Sequence, residues 1–182
     1  MLQGREAGST LIETLVVLGM MVVLMGIALP SMSSMITSYR ALTLVNAFLS
    51  SLNFARSEAI KRNSRAVLCK SVDGLSCAEQ GGWEQGWLLF HDVNNNAELD
   101  AGETVIERQG AVSGGLRLTG NTPVASYVSY SASGSAKLTS GAFQAGTFTL
   151  CRVPDAGAEV RTIVLSSTGR ARTTKGVAGD CD

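Results

Sequence analysis

Apolar and polar positions divide the chain into three stretches of different period. Between residues 14 and 30 no side chain is charged, and the run is apolar on every side of a helix. Residues 9–29 supply 21 positions, enough for an α-helix at about 1.5 Å per residue to cross a hydrocarbon layer of about 30 Å. Beyond Pro30 the apolar residues recur at three- and four-residue steps, with Leu42, Val45, Leu49 and Leu52 flanked by Phe48, Ala55 and Ala59. That spacing predicts an amphipathic helix over residues 30–62. The two helical stretches join at Pro30, which lacks an amide hydrogen and is expected to kink or loosen the helix there. From Ser64 onward the segments shorten and alternate. Residues 65–69, 86–90, 104–107, 116–118, 127–130, 146–151 and 161–165 read as strands punctuated by Gly and Ser. Short strands with no helical period between them predict an α+β fold, a long N-terminal helix packed on an antiparallel sheet domain over residues 63–182.

Composition adds little until the charges are placed. Fifteen basic and fifteen acidic residues among 182 give no global field, so any polyanion binding must rest on a local patch. The length fits one globular domain beyond the helix. Arg56, Lys61, Arg62 and Arg65 read as a solvated face at the helix exit.

Glu13 breaks the apolar pattern. A carboxylate inside a membrane span costs about 2.5–3.5 kcal/mol even on lenient insertion scales, so its presence asks for a partner. A cut between Gly8 and Ser9 would create an α-amine four residues before Glu13. In a staggered bundle of helices the amine of one subunit would neutralise the carboxylate of the next and fix the axial register. The string Gly8-Ser-Thr-Leu-Ile-Glu13-Thr-Leu-Val-Val-Leu resembles the class III signal of type IV pilins and type II secretion pseudopilins. The resemblance implies a leader over residues 1–8 removed by prepilin peptidase, N-methylation of the new terminus, and other pilins or pseudopilins as partners. It implies a single pass through the inner membrane by residues 9–29, with the C-terminal domain in the periplasm and exposed on the filament after assembly. Ser9 stands where the group customarily has Phe, and Glu6 offsets Arg5 in the leader.

Further along, Gly86-Trp-Leu-Leu-Phe-His-Asp92 followed by Asn94, Glu98, Asp100 and Glu103, then Tyr130-Ser-Ala-Ser-Gly134 and Thr168-Gly-Arg170, resemble the pattern of the GspH/FimT/FimU group. Gly169-Arg-Ala-Arg172 resembles the Gly-Arg-x-Arg element of FimT-type minor pilins, implicated in DNA capture for natural transformation. Arg170 and Arg172 alternate and would share one side of a strand, with Lys175 close by. Such cations would hold phosphates of double-stranded DNA without reading base sequence. The expected function is therefore that of a minor pilin near the tip of a type IV pilus, supporting assembly and DNA capture. The alternative is an H-type minor pseudopilin of a type II secretion system.

Four cysteines with no C-x-x-C spacing read as disulfides behind an export segment. Three pairings are possible. Cys69 with Cys77, closing a small loop around Asp73 and Gly74, and Cys151 with Cys181, tying down a Gly-rich tail, are favoured. Asp92, Asn94, Asn96, Asp100 and Glu103 fall at positions 1, 3, 5, 9 and 12 of a calcium loop. Ala97 replaces the turn Gly and no helix precedes the loop, so a hairpin turn without metal is expected there. His91, the one histidine, reads as a surface residue beside Asp92 with no nucleophile partner. No phosphate-binding Gly motif, zinc constellation or nucleophile elbow is present, so neither a cofactor nor an enzymatic activity is expected.

Overall fold

A computed structural model describes residues 8, 10–112, 114–153 and 161–175, with the side chains of residues 27–34 and 37 outside the description. One helix, α1 (Leu11–Arg62), runs through two compact units that divide between Tyr39 and Arg40. The helix runs on through Pro30, which itself donates no backbone hydrogen bond.

In the first unit α1 opens at Thr10, whose carbonyl accepts the amides of Glu13 at 3.1 Å and Thr14 at 3.2 Å. The Thr14 hydroxyl donates to the Leu11 carbonyl. The apolar side chains from Leu11 to Met25 are exposed all round the helix. Among the described residues no helix is long and apolar enough to cross a membrane. The apolar run continues through residues 27–29, whose side chains lie outside the description.

In the second unit residues 40–62 of α1 lie against two four-stranded antiparallel sheets. The first has the order β3-β2-β1-β5, from β1 (Arg65–Lys70), β2 (Trp87–Asp92), β3 (Val105–Gln109) and β5 (Tyr127–Tyr130). The second has the order β4-β6-β7-β8, from β4 (Leu116–Gly120), β6 (Gly146–Arg152), β7 (Arg161–Leu165) and β8 (Ala171–Lys175). The seven predicted strands are all present within a residue or two, and β8 is the eighth.

The buried stripe of α1 is Leu44, Val45, Phe48, Leu52, Ala55 and Ala59. Of the stripe read from the sequence, Val45, Phe48, Leu52, Ala55 and Ala59 are buried, whereas Leu42 and Leu49 are only half-buried. Steps of three and four fit either rotation of the helix, and aromatic packing selects one. Phe48 meets Trp83, Trp87 and Phe148 edge-on, at centroid distances of 5.0, 5.1 and 4.8 Å. Edge-to-face pairs at these separations add about 0.5–1.5 kcal/mol each beyond the area they bury. The Trp83 indole donates to the Val124 carbonyl at 3.1 Å. The Trp87 indole donates to Ser51 Oγ at 2.9 Å, and that hydroxyl donates to Glu107 Oε1 at 2.6 Å. This polar chain crosses from helix to sheet and sets their register, since each buried group would be orphaned by a one-residue slip.

Charges at the helix exit are not a simple solvated face. Glu58 is buried, accepting from Arg62 Nε at 2.7 Å and Lys61 Nζ at 3.2 Å. The Arg62 hydrogen bond holds the Glu58 carboxyl below the usual carboxylate range, outweighing its burial. Arg65 is also buried, because it opens β1 between two loops. It donates to Asn95 Oδ1, Ser129 Oγ and the Leu138 carbonyl, and lies 4.0 Å from Asp92. Lys70, the last residue of β1, is buried and donates to the carbonyls of Glu79 and Gly81 in the loop that follows. Burial pushes its pKa down, partly countered by Glu84.

Candidate functional site

Two regions carry the residues singled out by the sequence. At the start of the helix Gly8 and Glu13 are exposed, and Ser9 lies outside the described residues. A methyl group on Gly8 would meet nothing within 4 Å, so the fold itself imposes no reason for glycine there. Glu13 sits in the first turn of α1, where a carboxylate is favoured by the helix dipole. Among the described residues its side chain has no hydrogen bond or ion pair. A charged group and a run of exposed apolar side chains therefore share one helical segment, both without partners among the described residues.

The second region is the hairpin between β7 and β8. Its turn is closed by the Ser166 amide donating to the Arg170 carbonyl at 2.9 Å and by the Gly169 amide donating to the Ser166 carbonyl at 2.8 Å. Gly169 has φ +81°, and a Cβ there would come within 2.1 Å of the Gly134 carbonyl oxygen and 3.2 Å of Tyr130 Cε1. The two glycines of the sequence motifs thus press the β5 turn against the β7–β8 turn, joining the sheets. Beneath them Tyr130 is buried, its hydroxyl and Arg56 Nε both lacking a hydrogen-bond partner among the described residues. Burial pushes the Tyr130 pKa up, against the pull of Arg56.

Arg170 lies in the turn and precedes β8, whereas Arg172 and Lys175 are on the strand. All three are exposed. Arg172 pairs in register with Val164, and Lys175 with Arg161. Arg170 and Arg172 are two residues apart and keep the predicted alternation, but Lys175 is three beyond Arg172 and points to the opposite face of the sheet. The third cation was placed by its nearness in sequence, which ignores the strand period.

Cys69 and Cys77 are joined by a disulfide, and Cys151 is also disulfide-bonded. Cys181, its expected partner, lies outside the described residues. The loop 92–103 is a hairpin turn held by its own side chains. The buried Asp92 carboxylate accepts the amides of Asn95, Asn96 and Ala97 at 2.6, 3.2 and 2.9 Å. Asn94 and Asn96 turn their amide groups onto Asp100, and Glu103 accepts the amides of Val93 and Asp100. Among the described residues no three His, Cys, Asp or Glu side chains are grouped to hold a metal ion. His91 is half-buried rather than fully at the surface: it shares with Trp87 and Leu89 one side of β2, and its Nε2 is buried with no hydrogen-bond partner among the described residues.

The sequence missed Arg117. It is exposed on β4, distant in the chain from the basic tail, and only the strand order brings it onto the same sheet.

A helix leading into antiparallel sheets in this arrangement is a type IV pilin-like fold. Residues 44–169 match the model of the family described as type II transport protein GspH, and the chain belongs to that family. The pilin-like protein PilA1 of Thermus thermophilus is 38% identical over 99 residues, which cover 53% of this chain and 54% of PilA1. The chain thus spans about half the length of this curated relative. The minor pseudopilin EpsH of the Vibrio cholerae type 2 secretion system is similar in fold, with a TM-score of 0.50 at 14% identity, over 75% of this chain and 97% of EpsH. The type IV minor pilin FimU of Pseudomonas aeruginosa gives a TM-score of 0.49 at 18% identity, over 75% of this chain and 87% of FimU.

Proposed function

We propose that this member of the GspH family is a minor pilin, cut after Gly8 by prepilin peptidase and built into a type IV pilus near its tip. The observation that carries the reading is the unpartnered charge of Glu13 within a helix whose apolar side chains are exposed on every side. Exposed apolar surface of that extent is stable only in lipid or against other helices. Before assembly the apolar run 9–29 holds the chain in the inner membrane, with the sheet domain in the periplasm. Within the filament Glu13 meets the terminal amine of a neighbouring subunit. The similarity to a pilin-like protein and the basic hairpin favour a pilus over the alternative, an H-type pseudopilin of a type II secretion system.

Intact mass and N-terminal sequence of the protein recovered from membranes test the processing step. A mature chain beginning at Ser9, with or without one added methyl group, is expected. A chain beginning elsewhere would sink the reading.

The exposed pair Arg170 and Arg172 supports a second role, sequence-indifferent binding of double-stranded DNA during uptake. Every core residue of the sheet unit lies at or beyond Ala41, so a fragment starting at Arg40 keeps the whole core. At low salt that fragment should retard duplex DNA in a gel, and an Arg170→Ala, Arg172→Ala variant should lose most of the shift. An unshifted duplex at low salt would end the DNA role while leaving the filament role untouched.

A further inference from the structure

The first sheet buries apolar side chains on both of its faces, one of them less completely. Ala66 and Leu68 of β1 and Trp87 and Leu89 of β2 join the core under α1, which puts Val67, Cys69, Leu88 and Phe90 on the outer face as a second apolar cluster. Two loops cover that face. Cys77 is held onto it by the disulfide to Cys69, and Ala97 and Leu99 reach it from the loop 92–103. Tyr127 stands opposite Cys69 in register and packs on the same cluster.

Between these covers lies a cleft of about 750 Å³, with the Cys69–Cys77 disulfide, Leu99 and Tyr127 in its apolar floor and Glu79 and Glu98 at its rim. Pockets that hold ligands commonly measure about 300–1,000 Å³. Leu99 and Tyr127 are half-buried, so the floor is accessible. Both walls are held from within the chain. On one side Lys70 Nζ binds the carbonyls of Glu79 and Gly81, the Ala78 amide donates to the Lys70 carbonyl at 2.7 Å, and Asp73 accepts the amides of Leu75 and Ser76. On the other the Asp92 carboxylate gathers three amides of its loop. A cleft with fixed walls loses little conformational freedom on being filled.

Glu79 and Glu98 are the only charged side chains among the described residues that line the cleft. Both are exposed, and neither carboxylate has a hydrogen bond or ion pair among the described residues. Two free carboxylates beside an apolar floor complement a cation carried next to an apolar side chain. The Tyr127 hydroxyl accepts the Thr139 amide at 3.4 Å and keeps its own proton for a carbonyl oxygen. A cation, an apolar side chain and a main-chain carbonyl are together the parts of a short basic peptide.

We propose that this cleft receives a basic, partly apolar segment of another subunit, its Lys or Arg paired with Glu79 and Glu98 and its apolar side chain seated on the disulfide, Leu99 and Tyr127. Naming the partner as a filament subunit rests on the function proposed above, whereas the preference for a basic segment does not.

Fluorescence anisotropy of a labelled acetyl-Gly-Lys-Leu-Lys-Gly amide, titrated with the full chain in non-ionic detergent against a baseline of empty micelles, tests the cleft. The peptide should bind, more weakly as salt rises, and its counterpart with Glu for Lys should not. Glu79→Gln and Glu98→Gln should each weaken binding about two- to fivefold, as loss of an exposed ion pair does. Leu99→Ser should weaken it with the salt dependence unchanged. Ser57→Lys adds the same charge on the exposed side of α1 and should change binding less. With peptide bound, hydrogen exchange should slow in residues 76–79 and 96–99. Undiminished binding to the Glu79→Gln, Glu98→Gln double variant, an equal loss in Ser57→Lys, protection confined to other segments, or no binding at low salt would each overturn the cleft. Such a failure in a chain whose mature form begins at Ser9 leaves the filament reading standing. Binding in a chain cut elsewhere keeps the cleft and removes filament subunits as its partner.

Discussion

Phe48→Ala is expected to lower the stability of the sheet unit by about 3–5 kcal/mol, the range for emptying a buried aromatic site. The ring is fully buried and is the common partner of Trp83, Trp87 and Phe148, which cannot all move inward to fill the gap because each is anchored elsewhere. Trp83 and Trp87 are held through their indole nitrogens, and Phe148 through the ladder of β6. At about 2–4 °C per kcal/mol for a domain of this size, the melting midpoint of the fragment from Arg40 should fall by roughly 6–20 °C. Near-ultraviolet circular dichroism reports it directly, because the two tryptophans lie in the cluster. Leu49→Ala, on the neighbouring and half-buried position, should cost only about 1 kcal/mol. Equal losses at the two positions would show that Phe48 is not the centre of the buried face.

Gly169→Ala should cost about 3 kcal/mol or more and should carry the DNA role with it. The left-handed backbone alone disfavours a Cβ by about 1–2 kcal/mol. At φ +81° the added carbon would also press on the Gly134 carbonyl, a backbone atom that cannot swing aside, so the two turns must separate. Gly141 provides the control. Its φ is +84° but a Cβ there meets nothing within 4 Å, so Gly141→Ala should show the conformational cost of about 1–2 kcal/mol alone. Urea unfolding of the two variants separates strain from clash, and similar losses would refute the contact between the turns as the reason for glycine at residue 169. In binding, Gly169→Ala should weaken duplex affinity without removing any charge, because the turn that presents Arg170 is displaced.

Much of the fold is legible because it depends on local period. The alternation in residues 127–130 and 161–165 reproduces β5 and β7 to the residue, and the apolar stripe of residues 42–59 places a helix where α1 continues. Errors occur where one sequence satisfies two arrangements. Three- and four-residue steps allow the stripe to centre on Leu49 or on Phe48, and only the tryptophans of another segment choose. Arg65 follows the basic helix exit and reads as solvated, yet it is buried because Ser129 of β5 and Asn95 and Leu138 from two loops converge on it. Lys175 is near Arg172 in the chain and on the opposite face of the sheet.

The sequence by itself determined which residues are exceptional: the carboxylate of Glu13 in an apolar run, the glycine at residue 8 before it, and the arginines around Gly169. Those are violations of a local pattern, and a violation is visible without knowing what surrounds it. Tertiary structure decided which residues share a surface. The β4-β6-β7-β8 order brings Arg117 and four threonines from four strands into rows with the basic hairpin, and the pairing of strands dozens of residues apart leaves no local signal.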